Sequence, residues 1–406
     1  MIKRWMSERV LEAMKYRRGV HLTGARQVGK TTLTKMLALP NSKRFTLDEK
    51  TIHTAAEGDP AAFVERVGCD TMIIDEVQKV PDLLDAIKIN VDENQSKGQY
   101  LLTGSSNLRF SKTIKDSLAG RFETIRLRTL SCGEKKGKRP DFLERAFKRE
   151  FAASSTGFGK RAVIHEAFVG GYPEQLDLPT NSRRKWFENY VVDILTKDIR
   201  YVTEIRKTEV LKDVALWLLA HSSQFFTIEE LCTRAQISKV TADNYLEALK
   251  ALYLFDKVPA WTKSDYDRIG KRAKWIASDT GIMANMLKWT EDDVFLDDNK
   301  VGKLIESWVY HELAIQAEAS GEYVITQYRD KDKREIDFIV ENEKDEMLGV
   351  EVKAGSASEN DFKHLKWFAA NLAKHPFTGI VLYSGEHVLR FGEGFYAIPL
   401  ASLAGL

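Results

Sequence analysis

The chain reads as an α/β protein whose first part is built on a parallel sheet, and three features point there. Between residues 18 and 130, short apolar runs alternate with helix-compatible stretches, the pattern of strands covered on both faces by helices. One strand-to-helix junction in that stretch is a glycine-rich loop. From about 140 to 260 the period is that of helices, and from about 270 strands return, so a second α/β unit follows a helical one. A length of 406 residues suits two or three domains. Polar stretches near 132–160 and 262–274 are the natural breaks, giving expected units of 1–155, 156–265 and 266–406.

Composition narrows the class. Hydrophobic residues make up 43% and charged residues 30%, which argues against bulk disorder. Lys plus Arg number 61 against 59 Asp plus Glu, a net charge of +2, so any nucleic-acid surface must be a local patch. Cys69, Cys132 and Cys232 form no CxxC pair, and an odd count suits a reducing cytosol. No apolar run approaches the roughly 18 residues of a membrane span. The basic start places Ile2, Met6, Val10 and Met14 at helical spacing, as in a first helix packed on the domain behind it. Glu8 and Glu12 count against a transit peptide. A cytoplasmic protein without membrane partners is expected.

The elements come in order. The run GVHLT is a strand, and Gly24-Ala25-Arg26-Gln27-Val28-Gly29-Lys30-Thr31 after it fits GxxxxGK[ST], with Thr32 continuing into a helix. The glycines let the backbone curl until its N–H groups face phosphate oxygens, and the helix start adds positive potential. Lys30 is expected at the β- and γ-phosphates of ATP, with the Thr31 hydroxyl as a Mg²⁺ ligand. Chance matches to this pattern number on the order of 0.01 in such a chain. RFTLD and TMIID are the next strands. The second ends in Asp75, expected to hold Mg²⁺ through water, and Glu76, expected to orient the attacking water. YLLTG then delivers Ser105, Ser106 and Asn107 to the same edge, either to sense the γ-phosphate or as a plain polar turn.

Taken together, GARQVGKTTL, IIDEVQKVPDLLDAIK, YLLTGSSNL and SLAGR resemble the AAA+ ATPases. With GGYP at 170–173, YVVDILTKDI at 190–199, SDTGI at 278–282 and GKLIESWVYHEL at 302–313, the chain resembles more closely a bacterial and archaeal group. These are AAA-type ATPases with a C-terminal domain long labelled only as of unknown function. The resemblance implies an AAA+ core, a helical lid with a winged helix, and a restriction-endonuclease-like tail. It also implies that Arg121 is an arginine finger acting on a neighbour's ATP, and hence a homo-oligomer; an arginine there equally suits a surface ion pair.

Residues 227–255 have the shape of a helix-turn-helix. Thr227 caps a short helix, Ile237-Ser238 makes the turn, and Val240, Tyr245, Leu246 and Leu249 form the apolar side of the second helix. That helix offers Lys239, Asn244 and Lys250 but also Asp243 and Glu247, a mixed potential. Lys263, Arg268, Lys271, Arg272 and Lys274 come next as a denser basic segment, expected to touch phosphates of DNA or RNA. A winged helix serves protein contacts equally well.

Further on, Asp337 lies in EIDFIV and Glu351 and Lys353 in GVEVK, two strands joined by an acidic turn. In a twisted hairpin the three share a face. Two carboxylates at one edge suit Mg²⁺ or Mn²⁺, with Lys353 polarising a water and Glu306 on the preceding helix adding an acid. This is the D…ExK layout of PD-(D/E)XK nucleases. The ExK triplet alone is expected about twice by chance, and Glu134-Lys135-Lys136 is another. A charged strand face pairing across the hairpin is the alternative. The eight histidines show no metal spacing, and His311 is expected to pack or face solvent. Three functions stay open: an ATP-driven switch acting on nucleic acid, a metal-dependent nuclease regulated by ATP, and a non-cleaving ATP-gated adaptor.

Overall fold

In the computed structural model the described residues are 2–65, 68, 70–104, 118–139, 141–151, 157–201, 208–263 and 271–406, with 200 and 201 described by backbone alone. Five strands, β1 (Gly19–Thr23), β2 (Ser42–Thr46), β3 (Thr71–Asp75), β4 (Tyr100–Gly104) and β5 (Phe122–Arg126), form one sheet. The order is β2-β3-β4-β1-β5 and every pairing is parallel. All residues of β1, β3 and β4 are buried, as their apolar runs require, whereas the polar SKRFT of β2 tolerates the edge. Thr23 lies in register with Gly104 and Arg126, and Thr46 with Asp75. The phosphate-loop candidate and the acid of β3 therefore emerge at the same, C-terminal edge, where ligands of open α/β sheets sit.

The helical region runs from Lys160–Val169 through Thr180–Thr196 and Thr208–Ala220 to the pair Ile228–Ala235 and Lys239–Ala251. Thr227 and Glu230 make a reciprocal capping box, and the Ser238 hydroxyl accepts from Thr241 N. Tyr245, Leu246 and Leu249 turn inward, but Val240 is 71% exposed, so it does not belong to the apolar side. Strands β6 (Phe255–Val258) and β7 (Lys274–Ala277) then pair antiparallel. The expected break at 265 lies between these two paired strands.

After the short helices Thr280–Met286 and Glu291–Leu296 come a 23-residue helix, Asp298–Ser320, and a six-stranded mixed sheet that also carries the helix Lys363–Asn371. Its strands are β8 (Val324–Arg329), β9 (Glu335–Glu341), β10 (Met347–Lys353), β11 (Phe377–Tyr383), β12 (Leu389–Arg390) and β13 (Phe395–Pro399), ordered β12-β13-β11-β10-β9-β8. β10, β11 and β13 run parallel, and β8, β9 and β12 join antiparallel. The long helix starts on an Asp297 cap and ends at Gly321 in the left-handed region. It packs on the first helix (Met6–Tyr16), on the helix Lys160–Val169 and on β10, and is buried along most of its length because helices and the second sheet cover it.

One apolar cluster runs from Met6 through Val214, Trp308 and Val350 to Leu403, so the regions share a core. Polar contacts reinforce the junction. Asp256 of β6 takes Arg126 Nη1 and Arg128 Nη1 at 2.5 Å each, and Arg128 Nη2 reaches Glu318 at 2.8 Å. Asp279 accepts from Thr129 Oγ1, Gly171 N, Gly281 N and Ile282 N. At the start of the polar 132–160 stretch, Ser131 and Glu134 form a capping box, and Glu134 takes Arg4 Nε at 3.0 Å.

Candidate nucleotide site and a buried carboxylate cluster

The loop after β1 is shaped by backbone conformations that favour glycine. Gly24 has φ 149° and lies against Leu127 O, where a Cβ would be 2.3 Å away; Gly29 has φ 96° at the start of the helix Lys30–Met36. Arg4 braces the loop from the first helix's entry, donating to Val28 O at 2.8 Å and to Arg128 O at 2.7 Å. Lys30 is buried, with Nζ donating to Gly24 O at 2.9 Å and Ala25 O at 2.8 Å. Burial pushes this ammonium down to about 8, with Glu76 and Asp75 pulling the other way.

The helix places Thr31 so that its hydroxyl donates to Asp75 Oδ2 at 2.7 Å. Thr103, at the end of β4, donates its hydroxyl to the other Asp75 oxygen and accepts from Glu76 N at 3.4 Å. Glu76 sits in the left-handed region at φ 58°, which turns its carboxylate off the strand, where Gln78 Nε2 donates to it. Thr31, Asp75, Glu76 and Lys30 are thus brought together as expected. Thr103 was not foreseen: only its place one strand from Asp75 marks it.

A hydroxyl and a carboxylate oxygen on adjacent elements fit the hard, oxygen-seeking character of Mg²⁺, which keeps waters and nucleotide oxygens as further ligands. Among the described residues no group of three or more His, Cys, Asp and Glu side chains is placed to hold a metal unaided. Thr32 faces outward, and Ser105 lies outside the described residues, as do Ser106 and Asn107. Arg26 pairs with Asp198 at 3.3 Å, and Tyr190 Oη donates to Arg26 O at 3.2 Å, so the helical region touches this loop. Arg121 forms a two-pronged pair with Asp92, Nε and Nη2 each at 2.6 Å. This is the ion pair that the sequence left open beside the finger role.

The second candidate site lies where β9, β10 and the long helix meet. Asp337 Oδ2 accepts from Val352 N at 2.9 Å, and Lys353 Nζ is 3.9 Å from Glu351 and 3.7 Å from Asp361. Glu306 faces the same cluster, but the group at its centre is a lysine. Lys274 Nζ is 2.7 Å from Glu306, 3.1 Å from Glu335 and 3.4 Å from Asp337. Expected in a phosphate-touching basic segment, Lys274 is in fact fully buried, because three carboxylates compensate its desolvation. Burial works against its charge, yet Glu306, Asp337 and Glu335 outweigh it and hold the ammonium above its ordinary range. Burial and the Asp337 charge push Glu306 and Glu351 upward. Lys263, Lys271 and Arg272 are exposed, and Arg268 lies outside the described residues. His311 is buried beside Thr129 and Leu130 O, and burial lowers it to about 4.

Residues 16–135 match the family described as an AAA domain. Residues 160–293 and 301–403 match two families each described as a domain of unknown function (DUF8612 and DUF4143). Uncharacterized proteins of Mycobacterium tuberculosis and Mycobacterium bovis are each 25% identical over 402 residues, spanning 97% of this chain and 83% of theirs. Among solved structures, a Walker-type ATPase of Pyrococcus abyssi aligns at a TM-score of 0.43 and 14% identity, over 69% of this chain and 94% of its own. AMPPCP-bound DnaA of Aquifex aeolicus aligns at 0.28 and 12%, over 60% and 85%. No described helix is long and apolar enough to cross a membrane. Residues 16–135 are therefore similar to the AAA domain family and hold a five-stranded parallel sheet, and the two regions after them are similar to families described only as of unknown function.

Proposed function

We propose that the protein hydrolyses ATP at the loop 24–31 and uses the cycle to reposition its helical and C-terminal regions. The observation that carries this is the meeting of Thr31 with Asp75 at 2.7 Å beside the buried Lys30. In this reading Lys30 and the loop N–H groups bind the phosphates, and Glu76 orients the attacking water once Gln78 releases it. Thr31 and Asp75 hold Mg²⁺, which neutralises phosphate charge. Arg121 serves a neighbouring subunit of a homo-oligomer after leaving Asp92. Phosphate release from Mg²⁺-ATP by wild type, Lys30→Ala and Glu76→Gln tests the assignment. Turnover should vanish in both variants, and undiminished turnover in Lys30→Ala refutes it.

The finer reading divides the chain as an ATPase core to about 155, a lid and winged helix to about 265, and a nuclease-like tail, acting together on DNA or RNA. The helix pair 228–251 followed by the β6–β7 hairpin supports the winged helix, and exposed Lys263, Lys271 and Arg272 supply positive charge there. Asp337, Glu351 and Lys353 gathered at one end of the β9–β10 hairpin favour the nuclease-type tail. Plasmid and single-stranded DNA are to be incubated with Mg²⁺ or Mn²⁺, with and without ATP. Cleavage by wild type but not by Glu351→Ala is expected; salt-sensitive binding without cleavage would make the protein an ATP-gated adaptor.

A further inference from the structure

A carboxylate from the helical region reaches the nucleotide loop. The helix Thr180–Thr196 ends in a short 3-10 turn that begins at Asp198, and Asp198 Oδ1 lies 3.3 Å from Arg26 Nη1. The same helix holds the main chain of the same residue, since Tyr190 Oη donates to Arg26 O at 3.2 Å. Tyr190 is itself fixed: its hydroxyl meets that of Tyr172 at 2.8 Å, and its ring stacks on Trp186 at 5.1 Å. The side chain of Arg26 is 46% exposed and that of Asp198 only 15%, so the arginine is the member free to swing. The charges of Lys30 and Glu76 act on Asp198 as well, so it lies close to the charged end of the loop.

Resting on the ATP reading above, we propose that Asp198 is a positioning residue. It holds Arg26 until a nucleoside triphosphate takes the guanidinium, so that ATP binding loosens the grip of the helix Thr180–Thr196 on the loop. The chemistry favours the exchange. A guanidinium pairs bidentately with phosphate oxygens, whereas its contact with Asp198 is one long hydrogen bond. A triphosphate also brings several negative charges next to the carboxylate, so Asp198 and the phosphates compete for one cation. The free energy of that competition is what would carry nucleotide state to the rest of the chain.

The test uses the full chain with a fluorescent ATP analogue and Mg²⁺, titrated against wild type, Asp198→Asn, Arg26→Ala, the double variant and Lys30→Ala. Asp198→Asn should bind about three- to tenfold tighter, the size expected for removing one carboxylate from near a polyphosphate at an effective dielectric of about 20. Arg26→Ala should bind more weakly, and the gain from Asp198→Asn should shrink in that background. Amide exchange over 190–199 should rise when ATP is added to wild type, and should already be raised in nucleotide-free Asp198→Asn. A purely structural Asp198 would give neither the tighter binding nor the nucleotide-dependent exchange. Unchanged or weaker binding by a folded Asp198→Asn overturns the proposal while Lys30-dependent binding in wild type keeps the ATP reading. Binding that ignores Lys30→Ala overturns both.

Discussion

The Thr31 hydroxyl donates to Asp75 Oδ2 at 2.7 Å, joining the first turn after the phosphate loop to the end of β3, 44 residues later. In the proposed ATP reading the pair offers two oxygen ligands to one hard cation. Replacing Thr31 by Val keeps the shape and removes the hydroxyl. ATP hydrolysis should fall on the order of 10²-fold, the usual loss when one preorganised charge-stabilising contact is removed. Thr31→Ser should restore most of it. A steady-state phosphate-release assay across Mg²⁺ concentrations checks this.

Asp256 is buried between Arg126 and Arg128, whose charges outweigh its desolvation and hold it below the usual carboxylate range. Asp256→Ala leaves the buried Arg128 and the partly buried Arg126 short of a partner. A loss of about 3–5 kcal/mol is expected from breaking such a network. Urea unfolding followed by tryptophan fluorescence measures it, and a loss under about 1 kcal/mol would contradict the argument.

Glu312 gives a pH signature. It accepts from Cys132 N at 2.8 Å while its other oxygen lies buried without a hydrogen bond, and burial pushes its carboxyl up to about 8. A folded-state value above the unfolded one favours the protonated form on folding. Its contribution is complete below about 4.5 and is lost as pH rises through about 8. Glu312→Gln keeps the acceptor and cannot ionise, so thermal midpoints of variant and wild type should diverge, with the variant the more stable, from pH 5 to pH 9. Parallel curves would show that the carboxyl is not held protonated.

Gly171 has no room for a side chain: a Cβ there would lie 2.2 Å from Leu130 O and 2.7 Å from Leu130 N. Gly171→Ala must push the 129–131 segment away and disturb the Asp279 contacts with Thr129 and Gly171. A destabilisation of about 1–3 kcal/mol is expected from overpacking. Gly302→Ala, inside the helix Asp298–Ser320 with nothing within 4 Å, is the control in the same denaturation series and should gain about 0.5–1 kcal/mol.

Lys274→Met would leave Glu306, Glu335 and Asp337 facing one another without their shared cation. Stability should drop by about 3–5 kcal/mol at pH 8. The drop should be smaller at pH 5, where Glu306, pushed up to about 8 by burial and the Asp337 charge, takes up a proton instead. Denaturation at the two pH values separates this from simple loss of packing, which would be equal at both.

The candidate nucleotide loop was legible as a shape because its residues are consecutive: Gly24 to Thr31 curl the backbone and bury Lys30 within eight residues. Asp75 and Glu76 were legible through a short apolar run ending in acid. Thr103 and Asp198 were not, since a threonine closing a strand and an aspartate after a helix have no local mark. Their contacts come from β4 lying beside β3 and from Tyr190 and Asp198 reaching Arg26. Charge letters misled where burial is paired: Lys274 read as part of a phosphate-touching basic segment, yet it is buried against Glu306, 32 residues away.

What the residues alone determined is local: strand and helix periods, the glycine-shaped loop, the caps at Thr227 and Ser238. These depend on backbone conformation and on neighbours within a few positions. The tertiary structure decided which charges meet. It set Arg126 and Arg128 on Asp256, placed Lys274 among three carboxylates, and brought Asp198 to Arg26. The reason is that an ion pair is set by distance and burial, and both are properties of packed elements far apart along the chain.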